Sequence, residues 1–184
     1  MSATLKTGVG VVSVIALLGA GAALAVPLTN TRAPFQADLP AGWGQRDYPN
    51  NLPGIVVVAP GSPPPVVLQM FYAPYKSSGN DARALSEFIG GVETGATGNG
   101  QATLKRISER PLTVGGIKGT EHIYSLTVKA NGAVVQARAW YGVGPKNLFQ
   151  FQSVTGVKAT PAQVAVFDRL LSTVKFSSVG VKTQ

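Results

Sequence analysis

Residues 105–155 read KRISERPLTVGGIKGTEHIYSLTVKANGAVVQARAWYGVGPKNLFQFQSVT, and this stretch decides the fold. It divides into four runs rich in β-branched and aromatic residues. Residues 105–113 lead into Gly115-Gly116, and residues 119–129 lead into Asn131-Gly132. Residues 133–142 and 147–155 follow. Asn-Gly is the strongest short hairpin signal, because a type I′ turn needs positive φ at both central positions and these two residues supply it at low cost. Four strands joined in chain order by short turns make an antiparallel meander.

Upstream of the meander, residues 55–59 form a Val-rich run bounded by Pro53-Gly54 and Pro60-Gly61, the signature of a buried strand. The prolines of GSPPP at 61–65 remove ladder donors, so this segment is a loop, and residues 66–72 form the next strand. Phe35-Gln36-Ala37-Asp38-Leu39 starts the fold as a short strand, and Pro40-Ala41-Gly42-Trp43 reads as a turn. After Pro74, Asn80 or Asp81 caps a helix whose Leu85, Phe88, Ile89 and Val92 fall on one stripe. Gly90-Gly91 weaken its end, and residues 95–100 are a flexible loop. A last helix has an explicit start. Thr160 caps it, Pro161 takes the first helical position and Gln163 completes a capping box. Val164, Phe167, Leu170, Leu171 and Val174 make its stripe. The class is therefore α+β, an antiparallel sheet with helices packed on it.

The first residues carry a different signal. Lys6 precedes an uncharged apolar run over residues 9–26, and Ala23, Ala25 and Val26 mark a small-residue cleavage site after Ala25. This is the pattern of a secretory signal peptide over residues 1–25, with an uncleaved single-span anchor as the alternative. Residues 26–34 read as a linker, 35–178 as the folded domain and 179–184 as a flexible tail. The chain has no cysteine, so in an exported protein its stability must come from packing and not from disulfides.

Composition narrows the function classes. The 184-residue chain carries 16 basic and 8 acidic residues, for a formal charge of +8, but the basic residues are scattered singly. Nucleic-acid binding by counterion release needs clustered charge, so the balance points to solubility and a weak preference for anionic envelope surfaces. Cysteine chemistry is excluded. His122, the single histidine, shares a strand face with Tyr124 and Leu126 while Glu121 points the other way, so the two do not make a local metal pair. No nucleophile elbow or phosphate loop occurs, and the eight acids stand in no glycosidase motif. No catalytic, metal or cofactor residues are assigned. The one constellation with contact character is Arg138, Trp140 and Tyr141, where Arg138 and Trp140 share a strand face. The competing reading packs Trp140 under a helix with Arg138 at its rim.

Leu39-Pro40-Ala41-Gly42-Trp43, the Pro-Gly-bounded valine run, the strand at 66–72, the helix at Asp81, the strand bearing Trp140-Tyr141 and the closing helix at 164–174 together resemble the Mog1/PsbP-like superfamily. Within it the likeness is to mycobacterial LpqN/LpqT-type exported proteins and the related secreted proline-rich antigen. The resemblance spans about residues 35–177 and its motifs are structural. It implies an α-β-α sandwich, an exported location, actinobacterial origin and a non-enzymatic accessory or interaction role. LpqN-type lipoproteins carry a lipid-modified cysteine after the leader. Here Ala25 and Val26 stand in that region, so the protein would be released on cleavage, or would contact the membrane through the N-terminal segment if that is uncleaved. The expected partner is an unidentified envelope protein or lipid, with no nucleic acid. A carrier of a lipid or small hydrophobic ligand is the second reading, and a cell-envelope hydrolase the third.

Overall fold

The computed structural model describes residues 25–28, 33–77, 79–156 and 158–177. The leader reading over residues 1–24 lies outside them, as do residues 178–184.

Three short strands open the fold, β1 (Ala25–Pro27), β2 (Phe35–Gln36) and β3 (Asp38–Pro40). The main sheet follows with β4 (Gly44–Asp47), β5 (Gly54–Val58) and β6 (Val66–Pro74). Helix α1 (Asp81–Ala96) then carries the chain across one face to β7 (Ala102–Val114), and β8 (Ile117–Val128), β9 (Val134–Val143) and β10 (Asn147–Thr155) return as the meander. The seven strands stand in the order β4-β5-β6-β10-β9-β8-β7, every neighbouring pair antiparallel. The crossing by α1 puts β7 at the far edge, so the returning meander closes against β6. Helices α2 (Pro161–Val164) and α3 (Val166–Thr173) cover the opposite face, and β11 (Lys175–Phe176) pairs with β2. The architecture is helix, sheet, helix.

Strand alternation sorts side chains to two cores. Under α3 lies the larger, built from Phe35, Leu39, Leu68, Met70, Trp140, Phe149, Phe151, Phe167 and Leu170. The smaller, under α1, is Ile89 against Tyr124, Ala137, Ala139 and Tyr141. Trp140 is fully buried, and its indole N–H donates to the Leu112 carbonyl at 2.8 Å. Gly119 and Gly142 make room for it. A Cβ at either position would run into the indole.

Local signals behaved as their chemistry requires, with six departures. Asn131-Gly132 closes its hairpin within a longer loop at 129–133, with positive φ at Gly132 and not at Asn131, so the turn is not type I′. Thr160 and Gln163 form the reciprocal capping box, but the helix breaks at Ala165 and ends at Thr173, leaving Val174 extended. Asn80 occupies the N-cap of α1 without a side-chain cap bond, and the Asp81 carboxylate accepts instead from the Tyr75 and Ser77 hydroxyls, each at 2.7 Å. Helix α1 runs to Ala96 and a single tight turn follows at Gly98–Gly100, so most of the expected 95–100 loop is helical. The single strand expected at 35–39 is two, interrupted at Ala37. The linker expected at 26–34 is partly sheet, because Ala25–Pro27 pairs with Asp38–Pro40, Val26 opposite Leu39. The apolar Val26-Pro27 pair finds a free strand edge there. Among the described residues, no helix is long and apolar enough to cross a membrane.

Candidate functional site

The α1 face of the sheet holds a cluster of ionisable side chains that the sequence pattern leaves scattered. His122 sits in a cross-strand row running Val56, Gln69, Gln152, Ala139, His122, Glu109. Its side chain is 4% exposed. A bulge on β7 between Arg106 and Ser108 supplies its neighbours. The extra residue, Ile107, switches the alternation, so Arg106 lies opposite Tyr124 and Glu109, three positions on, lies opposite His122. Without the bulge one of the two would face away. From above, α1 lowers Glu93 onto the group.

The hydrogen bonds fix the protons. Glu93 Oε1 accepts from Arg106 Nη2 at 2.6 Å and from the Tyr124 hydroxyl at 2.9 Å. Tyr124 has spent its one hydrogen, so its oxygen accepts, from His122 Nδ1 at 2.8 Å and from the Tyr141 hydroxyl at 3.3 Å. This assigns the neutral Nδ1–H tautomer, with bare Nε2 facing the Glu109 carboxylate at 3.6 Å. Arg106 also donates to Glu109 at 2.9 Å. Burial, reinforced by the Arg106 charge, pushes the His122 imidazole below its ordinary value. Burial also raises both phenols, Tyr124 further through the Tyr141 hydrogen bond and Tyr141 to about 12. Burial works to raise the Glu93 carboxyl too, but the bonds from Arg106 and Tyr124 outweigh it and hold Glu93 below the usual range.

A second cluster braces the other face. Glu121, 1% exposed, accepts from Arg110 Nε at 2.6 Å and from Arg138 Nη2 at 2.6 Å. Arg138 reaches on to Asp168 of α3, also at 2.6 Å, and lies over the Phe167 ring at 5.2 Å from its centroid. The hydrogen bond to Arg138 holds Asp168 below the usual carboxylate range, and the same bond raises Arg138. Both clusters tie a helix to the sheet.

No protein-family model matches the chain, and no curated protein matches it by sequence. Solved structures do match. The cyanobacterial PsbP (CyanoP) of Synechocystis sp. PCC 6803 superposes with a TM-score of 0.59 at 17% identity, over 86% of this chain and 95% of that one. The fold is that of PsbP. LpqN, involved in cell envelope biogenesis of Mycobacterium tuberculosis, superposes at 0.60 with 14% identity, over 84% of this chain and 91% of that one. A Bacteroides thetaiotaomicron protein matches at 0.55 and 11% identity, and this chain accounts for half of its length. Identities this low carry the fold and nothing further.

Within this PsbP-like fold the three residues expected to share a contact surface part company. Trp140 is sealed in the α3 core. Arg138 shares its face, as the alternation requires, but is spent on Glu121 and Asp168. Tyr141 lies on the opposite face, buried beside His122 and Phe88. The three form no common exposed patch. Of the expected cleavage-site residues, Ala25 and Val26 lie in β1, and Ala23 falls outside the described residues. An apolar groove of about 200 Å³ opens between the β1–β3 ribbon and α3, its lining including Ala25, Leu39, Pro40, Val166, Arg169 and Leu170. Among the described residues no three His, Asp or Glu side chains are placed to hold a metal ion. No sequence motif points to the His122 cluster, because its members come from α1, β7, β8 and β9 and one of them depends on a bulge.

Proposed function

We propose that this chain is an exported, non-catalytic accessory protein of the cell envelope, acting through contact with another envelope component. One observation supports the non-catalytic part. Among the described residues no side-chain nitrogen or oxygen that is wholly closed to water lacks a hydrogen-bond partner. The ionisable groups of both clusters are engaged with one another, which supports a structural role for them. Glu121 is shared by two arginines, and Glu93 by Arg106 and Tyr124. The export part rests on the leader-like residues 1–25, and the likeness in fold to LpqN is compatible with it.

Charge distribution supports a contact role at an anionic surface. The ion pairs of the described residues are made by arginines, with His122 beside its two carboxylates, and none is made by lysine. Lys76, Lys105, Lys118, Lys129, Lys146, Lys158 and Lys175 are all exposed. The acids are largely consumed internally, and the lysines give the surface its positive sign. A carrier role is the second reading, favoured by the apolar groove beside α3. At about 200 Å³ that groove falls short of the roughly 300–1,000 Å³ of small-molecule sites, which ranks it second.

Lysine-directed crosslinking of tagged protein on its native envelope, followed by capture and mass spectrometry, tests this reading. The expected result is one saturable protein partner, lost when excess untagged protein competes. Recovery of a stoichiometric lipid with no enriched protein would replace the contact role with the carrier role.

A further inference from the structure

Helix α1 is bound to the sheet far more weakly than α3. Of its sixteen residues only Ile89 is buried, whereas the eight residues of α3 bury four. Leu85, Phe88 and Val92 are half-covered. Its interior also holds Gly90-Gly91, and a Cβ built on either meets nothing within 4 Å. Packing therefore does not require glycine there, and the pair serves only to lower the stability of the helix. Besides Ile89 and Val92, the C-terminal half is held down by Glu93, gripped by Arg106 and Tyr124. Directly beneath that grip lies the one histidine, nearly closed to water.

We propose that α1 is a releasable cover on the sheet, latched at Glu93 and let go when His122 takes up a proton. The groups facing the imidazole are Glu93 from α1, Arg106 and Glu109 from β7, Tyr124 on its own strand and Tyr141 from β9. At neutral pH Nδ1–H donates to Tyr124, which frees the tyrosine hydrogen for Glu93. The only nitrogen open to a proton is Nε2, beside Glu109. Once it is protonated, the imidazolium gains Glu109 as an acceptor but stands beside the Arg106 charge in a site nearly closed to water. Burial outweighs the attraction of Glu93 and Glu109, consistent with the depressed titration of His122. The lightly packed, glycine-weakened α1 is the element able to move and admit solvent. Its opening bares the apolar strip of Ala137, Ala139 and Tyr141. The other core, which contains Trp140, stays shut.

Hydrogen–deuterium exchange of the full chain at pH 7.5 and pH 5.0, corrected for intrinsic rates, tests this. The expected result is at least a tenfold loss of protection in peptides from 81–97 at pH 5.0. Peptides of β10 and the tryptophan emission should stay unchanged. His122→Gln should abolish that pH dependence. Unchanged α1 protection at pH 5.0, parallel loss in β10, or a pH response surviving in His122→Gln would each overturn the proposal. Should His122→Gln fail to fold, Glu93→Gln takes its place. Its α1 protection must already be low at pH 7.5 and insensitive to pH, and wild-type protection there would overturn the latch.

Discussion

Among single residues, Glu121 carries the sharpest energetic consequence. A carboxylate 1% exposed is tolerated only because two guanidinium groups meet it. Removing the more buried of the two leaves a buried carboxylate with one solvent-screened partner. Arg138→Met should therefore cost about 2–4 kcal/mol in urea unfolding. Arg110→Met should cost about 1 kcal/mol or less, because the Arg110 side chain is 61% exposed and its pairing is screened by water. Equal effects would mean that Glu121 depends on neither arginine in particular. Part of this was legible in the sequence. Alternation alone sends Glu121 and His122 to opposite faces, and they do lie there. Their partners could not be read. Asp168 meets Arg138 across thirty positions, and Glu109 faces His122 only through the Ile107 bulge, for which Arg106-Ile107-Ser108 offers no glycine or other local mark.

Among elements, the two helical covers differ in kind. Helices α2 and α3 begin with a capping box and bury Phe167, Leu170 and Leu171 in the larger core. Thr160→Ala should lower stability by about 1 kcal/mol, measured by chemical denaturation, since it leaves Gln163 N–H without its acceptor. Helix α1 is limited by its own backbone, so Gly90→Ala/Gly91→Ala should stabilise the protein by about 1–2 kcal/mol. At this chain length that is a rise in Tm of about 2–8 °C. A fall in Tm would show that the glycines answer a packing need. The places of the hairpin turns were the most legible features. Gly115-Gly116 and Asn131-Gly132 both fall in turns, with positive φ at Gly115, Gly116 and Gly132. Asn131 does not take it, and the second turn is a longer loop. Of the strand neighbours, the meander pairs could be read from their turns, and the pairing that joins the meander to the rest of the sheet could not. That β10 docks on β6 is a contact between segments some eighty positions apart, and no local propensity encodes it.

For the whole molecule, acid works against the fold in two windows of the same sign. His122 has a lowered value in the folded state, so the unfolded chain binds more protons below pH 6.5. Stability is therefore fully present above that point and declines as pH falls through it. Glu93 and Asp168 are held below the usual carboxylate range by Arg106 and Arg138. Their contribution is present above the unfolded value near pH 4 and is lost as pH falls further. Urea midpoints measured from pH 7.5 to pH 3.5 should thus decline in two steps, and His122→Gln should remove the upper step alone.

Export and accessory contact are claims about the intact cell, and the most direct test is to fractionate producing cells and determine the mass and N-terminus of the protein recovered. Export requires it outside the cytosol, beginning at Val26 after cleavage or intact in the membrane fraction. Intact protein starting at Met1, soluble among cytosolic enzymes, would contradict it.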